Sequence, residues 1–247
     1  MSNRITPKLL AEFIGTFALI FIGAGAGAVV GAGVGLPGLI AIAFAHGLTV
    51  MAFAFAYGSV SGGHFNPSVT VGVLAAGAMR VGEAIGYIVS QLIGGIAGAL
   101  LLRTVLGGAA TGLGMPSLAH NLAVGATSLT ITPEAGFMIE ALLAFFLVTV
   151  VLSTGVAGRA GSLAPLAIGM TLTLNIIMGG ALTGAPFNPA RALGPMVATG
   201  NFSDAWLYLA APIVGAIVAA LLHTGLSRLA QEGTAGEHGR AAQTPAE

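Results

Sequence analysis

The stretch Thr-Gly-Ala-Pro-Phe-Asn-Pro-Ala-Arg-Ala-Leu-Gly-Pro at residues 183–195 interrupts very apolar sequence, and a similar stretch lies earlier in the chain. The earlier copy, at residues 61–70, reads Ser-Gly-Gly-His-Phe-Asn-Pro-Ser-Val-Thr. Each copy has a glycine-rich loop, an Asn-Pro pair and a helix-compatible run that is too short to cross a bilayer. Irregular backbone at membrane depth is tolerated only where protein buries it or where it lines a wet cavity. Two such breaks in corresponding places therefore indicate a transport site.

The composition is that of a polytopic membrane protein. Of the 247 residues, 56% are hydrophobic and only 6% are charged, whereas about 25% are charged in a typical soluble domain. The 8 basic and 8 acidic residues form no basic patch, which argues against nucleic acid as a partner. The chain has no cysteine, so we expect neither a disulfide framework nor a thiolate metal site.

Six apolar stretches are long enough to cross a bilayer, which takes about 20 residues. They lie at roughly 9–33, 38–58, 84–106, 134–156, 162–181 and 204–226. Short segments at 67–79 and 189–199 follow the two Asn-Pro pairs. The connection 107–133 has no charged residue and is predicted to be an irregular, exposed outer loop. The polar tail at 229–247 is predicted to be disordered and cytoplasmic.

The basic residues predict the orientation of the chain in the membrane. With six spans, all but two of them fall on one side, and the exceptions are Arg103, near the opposite face, and Arg191, inside the second break. The positive-inside rule then puts both termini in the cytoplasm. The termini carry no long charged extension, which by analogy favours the plasma membrane of a prokaryote. The residues on the cytoplasmic side are Arg4, Lys8, Arg80, Arg159, Arg228 and Arg240.

The two halves of the chain resemble each other. Tyr-Ile-Val-Ser-Gln-Leu-Ile-Gly at 87–94 aligns with Tyr-Leu-Ala-Ala-Pro-Ile-Val-Gly at 208–215, an offset of 208 − 87 = 121. The two motif asparagines are separated by 188 − 66 = 122 residues. Halves with three spans each insert with opposite orientation, which makes an inverted repeat. We predict an all-α membrane protein with one channel domain, 1–228, in which halves 8–106 and 134–228 each contain three transmembrane helices and one re-entrant half-helix.

Each Asn-Pro pair predicts the first turn of a half-helix. Proline is favoured at the first helical position, and asparagine is a good N-cap. Inverted symmetry brings the two helix starts together near the midplane, and each carries about half a positive charge. Together with the amides of Asn66 and Asn188, they repel cations and favour a neutral molecule with a lone pair. Backbone carbonyls of the approaches 61–64 and 183–186 would serve as acceptors, an arrangement suited to single-file water with an interrupted proton wire.

Glu12 and Glu140 occupy like positions in the first and fourth spans, and carboxylates inside a membrane usually have a function. In one interpretation, each accepts hydrogen bonds from the backbone of a re-entrant loop. In the alternative, they serve an ion-coupled carrier of a small neutral solute. Neither has a Lys or His as a repeat mate, which favours the structural role. No nucleophile–base pair or metal cluster is apparent, so we do not expect an enzyme.

The motifs Asn66-Pro67-Ser68 and Asn188-Pro189-Ala190, the second followed by Arg191, resemble those of the aquaporin (major intrinsic protein) family. The resemblance covers nearly all of residues 8–228. It implies passive conduction of water, a pore in each subunit of a homotetramer, and no cofactor. Ser68 departs from the usual Ala and is expected to change little beyond adding a hydroxyl.

The resemblance also implies a filter near the outer mouth, formed by His46, Ile176, Ala185 and Arg191. His46 and Ile176 stand where orthodox water channels usually have Phe and His, so the filter looks more like that of the plant tonoplast class. Such a filter implies a wider pore that admits ammonia or urea, while Ala192, in place of the Asp of glycerol facilitators, argues against glycerol. The alternative for His46 is a hydrogen-bonded packing role. Pore lining or loop support is expected of Gly62, Gly63, His64 and Gly184.

Overall fold

The computed structural model describes residues 5–31 and 35–241, with side chains through residue 230. Within these residues, six helices are long and apolar enough to cross a membrane. Five of them match the predicted spans to within a few residues, and the sixth begins at the predicted place but continues beyond the predicted end. Arg4 of the orientation argument and residues 242–247 of the predicted tail lie outside the described residues. The six are α1 (Ile5–Val30), α2 (Gly35–Ser61), α4 (Val81–Val105), α5 (Pro133–Val156), α6 (Ala164–Thr183) and α8 (Ala205–Ala241).

Two of the long helices contain a wider, π-helical turn. In α1 it spans Leu19–Ala24, and in α5 it forms the last turn, Val151–Val156. The outer faces of the long helices are apolar, as expected for surfaces in contact with lipid. Leu174 and Leu221, for example, are 62% and 63% exposed.

The two half-helices begin at the motif prolines. Helix α3 (Pro67–Ala75) is capped by Asn66, whose side chain accepts a hydrogen bond from the N–H of Ser68 at 2.8 Å. Helix α7 (Pro189–Thr199) is capped in the same way by Asn188. Helix α3 is shorter than the predicted 67–79, because Gly77 adopts a left-handed φ of 77° and the chain closes in a Schellman motif.

The inverted repeat is visible in the helix contacts. Helix α1 packs on α4, α5 packs on α8, and α2 packs on α6 across the two halves. At the contact between α2 and α6, Gly47 and Gly169 face each other, and 169 − 47 = 122, the repeat offset. A Cβ added to Gly47 would lie 2.5 Å from the Gly169 carbonyl oxygen, and one added to Gly169 would lie 2.6 Å from that of Gly47. The two halves therefore meet backbone to backbone near the pseudo-two-fold axis.

The prediction that 107–133 is an irregular exposed loop is wrong in part. The segment forms a short antiparallel hairpin, β1 (Leu122–Val124) with β2 (Thr127–Leu129). Its side chains at Leu113, Leu118 and Ile131 are buried and anchor the loop on the bundle. Burial of these apolar side chains outweighs the turn-forming tendency of their glycine-rich neighbours.

The last helix also differs from the prediction. Helix α8 continues to Ala241, whereas the sequence predicted disorder from residue 229. Residues 231–241 include Gln, Glu and Ala, which favour helix, as well as three glycines, which do not. No proline interrupts this stretch, and the next proline is Pro245. The polar composition alone therefore misled the prediction.

Candidate functional site

The two half-helix starts are joined by a reciprocal pair of hydrogen bonds. The side-chain amide of Asn66 donates to the carbonyl of Phe187 at 3.1 Å, and that of Asn188 donates to the carbonyl of Phe65 at 3.0 Å. The Oδ1 atom of each asparagine accepts from its own half-helix, at 2.8 Å from Ser68 N–H and at 3.0 Å from Ala190 N–H. An amide has two N–H donors, so one N–H of each asparagine remains for a molecule at the junction.

Phe65 and Phe187 hold this junction in an unusual backbone conformation. Their φ angles are 48° and 28°, in the left-handed region that bulky residues rarely occupy. Both side chains are buried, at 1% and 0% exposure. The strain turns each carbonyl toward the opposite asparagine. These two phenylalanines were not predicted to have a role, although their separation of 187 − 65 = 122 equals the repeat offset.

The hydrogen bonds expected of Glu12 are present in the structure. Its Oε1 accepts from the Ser61 hydroxyl at 2.6 Å and the His64 N–H at 3.0 Å. Its Oε2 accepts from the Phe65 N–H and the Gln91 amide, both at 2.7 Å. The carboxylate is fully buried and makes four hydrogen bonds to the first re-entrant loop and α4.

Glu140 supports the second loop with fewer bonds. Its Oε1 accepts from the Thr183 hydroxyl at 2.6 Å, and its Oε2 accepts from the Phe187 N–H at 2.7 Å. This carboxylate is also fully buried, and it interacts electrostatically with Arg191. Both glutamates thus hold loop backbone, as in the first of the two interpretations.

Two tyrosines complete the loop supports. The Tyr87 hydroxyl donates to the Ser61 carbonyl at 2.7 Å, and the Tyr208 hydroxyl donates to the Thr183 carbonyl at 2.9 Å. Both tyrosines lie at the start of the segments that align the two halves, but neither was predicted to support a loop. The pair is symmetric, whereas Gln91 has Pro212 as its repeat mate and so has no counterpart.

The four positions predicted to form the filter are all buried, at 2–5% exposure. The His46 Nδ1–H donates to the Ile42 carbonyl at 2.9 Å, while its Nε2 has no partner. The guanidinium of Arg191 makes no hydrogen bond within the described residues, and its Nε and Nη1 are buried. His46 and Arg191 interact electrostatically. His46 is therefore anchored on one edge, as the packing alternative requires, and keeps a free nitrogen on the other.

Ile176 and Ala185 belong to the same buried cluster. Ile176 lies on α6, and Ala185 packs against that helix one turn further on, at Gly179. Gly184, which ends α6 with a φ of 78°, lies under Pro116 of the connection 107–133. This connection thus packs directly on the approach to the second break.

A cavity of about 700 Å³ opens below the first break. Gly62 and His64 line it, and the His64 Nδ1 lies 3.1 Å from the Thr70 hydroxyl. Gly63, with a φ of 67°, packs against α2 at Ala54 rather than lining the cavity. At the rim, the Lys8 Nζ pairs with the Glu83 Oε1 at 2.6 Å. Within the described residues, no group of three His, Asp or Glu side chains could hold a metal ion.

This architecture of paired Asn-Pro half-helices matches that of known proteins. The family model described as "Major intrinsic protein" matches residues 2–223. The chain belongs to the major intrinsic protein family. Its architecture and its assignment as a passive channel for water and small solutes, both predicted from the sequence, are confirmed. The alternative of an ion-coupled carrier is not supported.

Relatives of this major intrinsic protein occur in plants and in bacteria. The chain is 36% identical over 222 residues to "Aquaporin TIP2-1" of Arabidopsis thaliana, covering 87% of this chain and 84% of that protein. It is 40% identical over 227 residues to "Aquaporin Z" of Brucella melitensis, covering 89% and 97%. Among solved structures, the aquaglyceroporin from Plasmodium falciparum matches with a TM-score of 0.73 at 24% identity, covering 89% and 96%. That last likeness supports the fold alone.

Proposed function

We propose that the pore conducts water in single file, with Asn66 and Asn188 as its central donors. The observation that carries this proposal is the reciprocal pair of bonds from each asparagine to the opposite phenylalanine carbonyl. These bonds fix both amides and leave one donor on each for the oxygen of a passing molecule. A water held there donates outward in both directions, so a proton wire through the junction is broken.

We further propose that His46, Ile176, Ala185 and Arg191 form the filter, and that ammonia or urea passes along with water. Because Nδ1 of His46 donates to Ile42, the neutral ring offers its Nε2 lone pair as an acceptor. The Arg191 guanidinium offers donors that no protein group takes. A small neutral molecule with both an acceptor and N–H or O–H donors bridges these two groups. Ala192, in place of the Asp of glycerol facilitators, argues against glycerol as the main solute.

We assign the protein to the plasma membrane of a prokaryote, with both termini in the cytoplasm and as a homotetramer. The positive-inside rule supports this orientation. Lys8 and Arg80, with Glu83 as partner of Lys8, lie at the bundle end that holds the cavity below His64. The outer Arg103 instead donates to the Ala198 carbonyl at 2.8 Å, near the C-terminal end of α7. As a channel, the protein needs no cofactor. We retain 1–228 as the channel domain, with halves 8–106 and 134–228.

A flux panel in one proteoliposome preparation tests the proposed substrates. Under an osmotic gradient, stopped-flow light scattering should report water permeability well above that of protein-free vesicles. Ammonia and urea uptake should also rise above that background, and glycerol uptake should rise least. Water permeability equal to that of empty vesicles would rule out the water channel. Background uptake of both ammonia and urea would limit the pore to water.

The double variant His46→Phe with Ile176→His tests the filter assignment. The larger Phe ring and the added imidazole narrow the filter, so ammonia and urea fluxes should fall about tenfold while water flux changes by less than about threefold. A tenfold change is a difference in barrier of only about 1.4 kcal/mol. Leu174→Phe, which adds a ring to the exposed side of α6, is the matched control and should leave all fluxes unchanged. Equal solute uptake in the double variant and the wild type would refute the assignment.

A further inference from the structure

A second cavity, of about 290 Å³, lies between α5 and α8 and shares no lining residue with the cavity below His64. Its polar lining consists of three hydroxyls, one imidazole and one guanidinium. Among the described side chains, no Asp or Glu lines it. The cavity is therefore cationic, in a chain whose formal net charge is zero. The five polar residues are Thr149, Ser153, Arg159, His223 and Ser227.

Thr149 is the lining residue whose hydroxyl has no partner among the described residues. Its Oγ1 is buried and has no hydrogen-bond partner in the described part of the chain. A buried hydroxyl without a partner is destabilising, and most threonines inside such helices bond to the carbonyl four residues earlier, as Thr154 does to Val150 at 2.6 Å. Thr149 instead lies at the cavity wall, just before the π-helical turn Val151–Val156.

We propose that this cavity binds a phosphoryl anion. Arg159 supplies a permanently charged guanidinium, whose parallel N–H donors match two phosphate oxygens. The hydroxyls of Ser153 and Ser227 supply donors for the remaining oxygens. The imidazole of His223 adds an N–H donor, and this does not require the ring to be charged. The volume is close to the lower limit of small-molecule sites, which suits a headgroup or a free phosphate rather than a nucleotide.

The surroundings connect the site to the bilayer. Leu222 and Leu226 line the cavity and are 46% and 57% exposed on the outer face of α8. Acyl chains of a phospholipid could lie along these leucines while the headgroup enters the cavity. Basic pockets between transmembrane helices bind anionic lipid headgroups in this way. The same phosphoryl chemistry also fits inorganic phosphate from solution, so the test must separate the two sources.

Native mass spectrometry of the detergent-solubilised full chain tests the lipid source. Phosphatidylglycerol, which carries a net charge, should bind at least about tenfold more tightly than zwitterionic phosphatidylcholine. Arg159→Gln should weaken phosphatidylglycerol binding about tenfold, since hydrogen bonds to charged groups are the strong ones. Arg228→Gln is the matched control, because Arg228 follows Ser227 on α8 but does not line the cavity. It should change binding less than about twofold.

Thermal unfolding in increasing inorganic phosphate tests the free-ion source. If phosphate raises the Tm, and Arg159→Gln abolishes this rise while Arg228→Gln preserves it, the site binds free phosphate. If the protein prefers phosphatidylglycerol but phosphate does not raise the Tm, the site binds the lipid headgroup. Ser153→Ala should weaken binding of the anion, whereas Thr149→Val should raise the Tm of the lipid-free protein by removing a buried unpaired hydroxyl. The proposal is overturned if neither anion binds, or if the two arginine variants weaken binding equally. Water permeability is expected to be the same in all these variants, so the outcome is independent of the proposed pore.

Discussion

Replacing Glu12 with Ala should destabilise the channel more than replacing Glu83 or Glu140 with Ala. The substitution leaves four buried donors without their acceptor: the Ser61 hydroxyl, the N–H groups of His64 and Phe65, and the Gln91 amide. Each unsatisfied buried donor costs about 1–3 kcal/mol, so the free energy of unfolding should fall by more than about 4 kcal/mol. This change in the free energy of unfolding is measured by denaturing the detergent-solubilised protein and monitoring the loss of the helical circular dichroism signal.

Two further variants define the origin of that loss. Glu83→Ala removes a carboxylate that lies in the same half of the chain as Glu12, at the rim of the cavity. Its partly exposed ion pair with Lys8 contributes only about 0–1 kcal/mol to the free energy of unfolding. Glu140→Ala removes two acceptor bonds rather than four and should have an intermediate effect, although it also deprives Arg191 of a nearby opposite charge. If Glu12→Ala were no more damaging than Glu83→Ala, the loop-support role of Glu12 would be wrong.

Arg191→Val should raise proton leak through the channel while leaving it open to water. The substitution removes a buried cation whose guanidinium has no hydrogen-bond partner in the described residues. A unit charge about 4 Å from a passing proton contributes about 4 kcal/mol to the barrier for proton passage at an effective dielectric constant of about 20. Losing only a third of this contribution increases the rate of proton leak about tenfold. Acidification of a pH-sensitive dye inside proteoliposomes reports the leak, and light scattering reports the water flux.

Arg103→Gln is the matched control for that experiment. Arg103 is the other arginine predicted to lie toward the outer face, and its guanidinium donates to the Ala198 carbonyl. Its removal should leave proton leak unchanged. If both variants leak equally, the cause is loosened packing around α7, and the filter role of Arg191 is refuted. Urea flux in Arg191→Val should rise as well, because valine is smaller than arginine.

Local signals explain why much of the fold was predictable. Hydropathy gives the spans because each long helix is apolar over about 20 residues. The Asn-Pro pairs give the half-helix starts because Asn66 and Pro67 lie next to each other in sequence and act on the same turn. The repeat then gives the inverted topology, since equal offsets relate the two motifs. All three signals can be read without knowing any contact between distant residues.

The loop supports depend on contacts that no local signal contains. Tyr87 bonds to Ser61 across 26 residues, and Gln91 bonds to Glu12 across 79. Their side chains are ordinary for a transmembrane helix until the re-entrant loop is in place. The hairpin β1–β2 was not predicted for a similar reason. The neighbouring Leu118 and Ile131 are buried because they pack against side chains of α7 and α8. In both cases tertiary packing, and not local propensity, decides the structure.

The reciprocal bonds between the two breaks also impose an order on biosynthesis. Asn66 donates to a carbonyl 121 residues later in the chain, and the Phe65 carbonyl accepts from a residue 123 positions later. At about 5–20 residues per second, the ribosome needs about 6–24 s to deliver those partners. Until those residues are made, the Asn66 amide and the Phe65 carbonyl lack these partners, and lipid cannot replace them. The centre of the pore is therefore among the last parts of the molecule to form, although its first motif is made early.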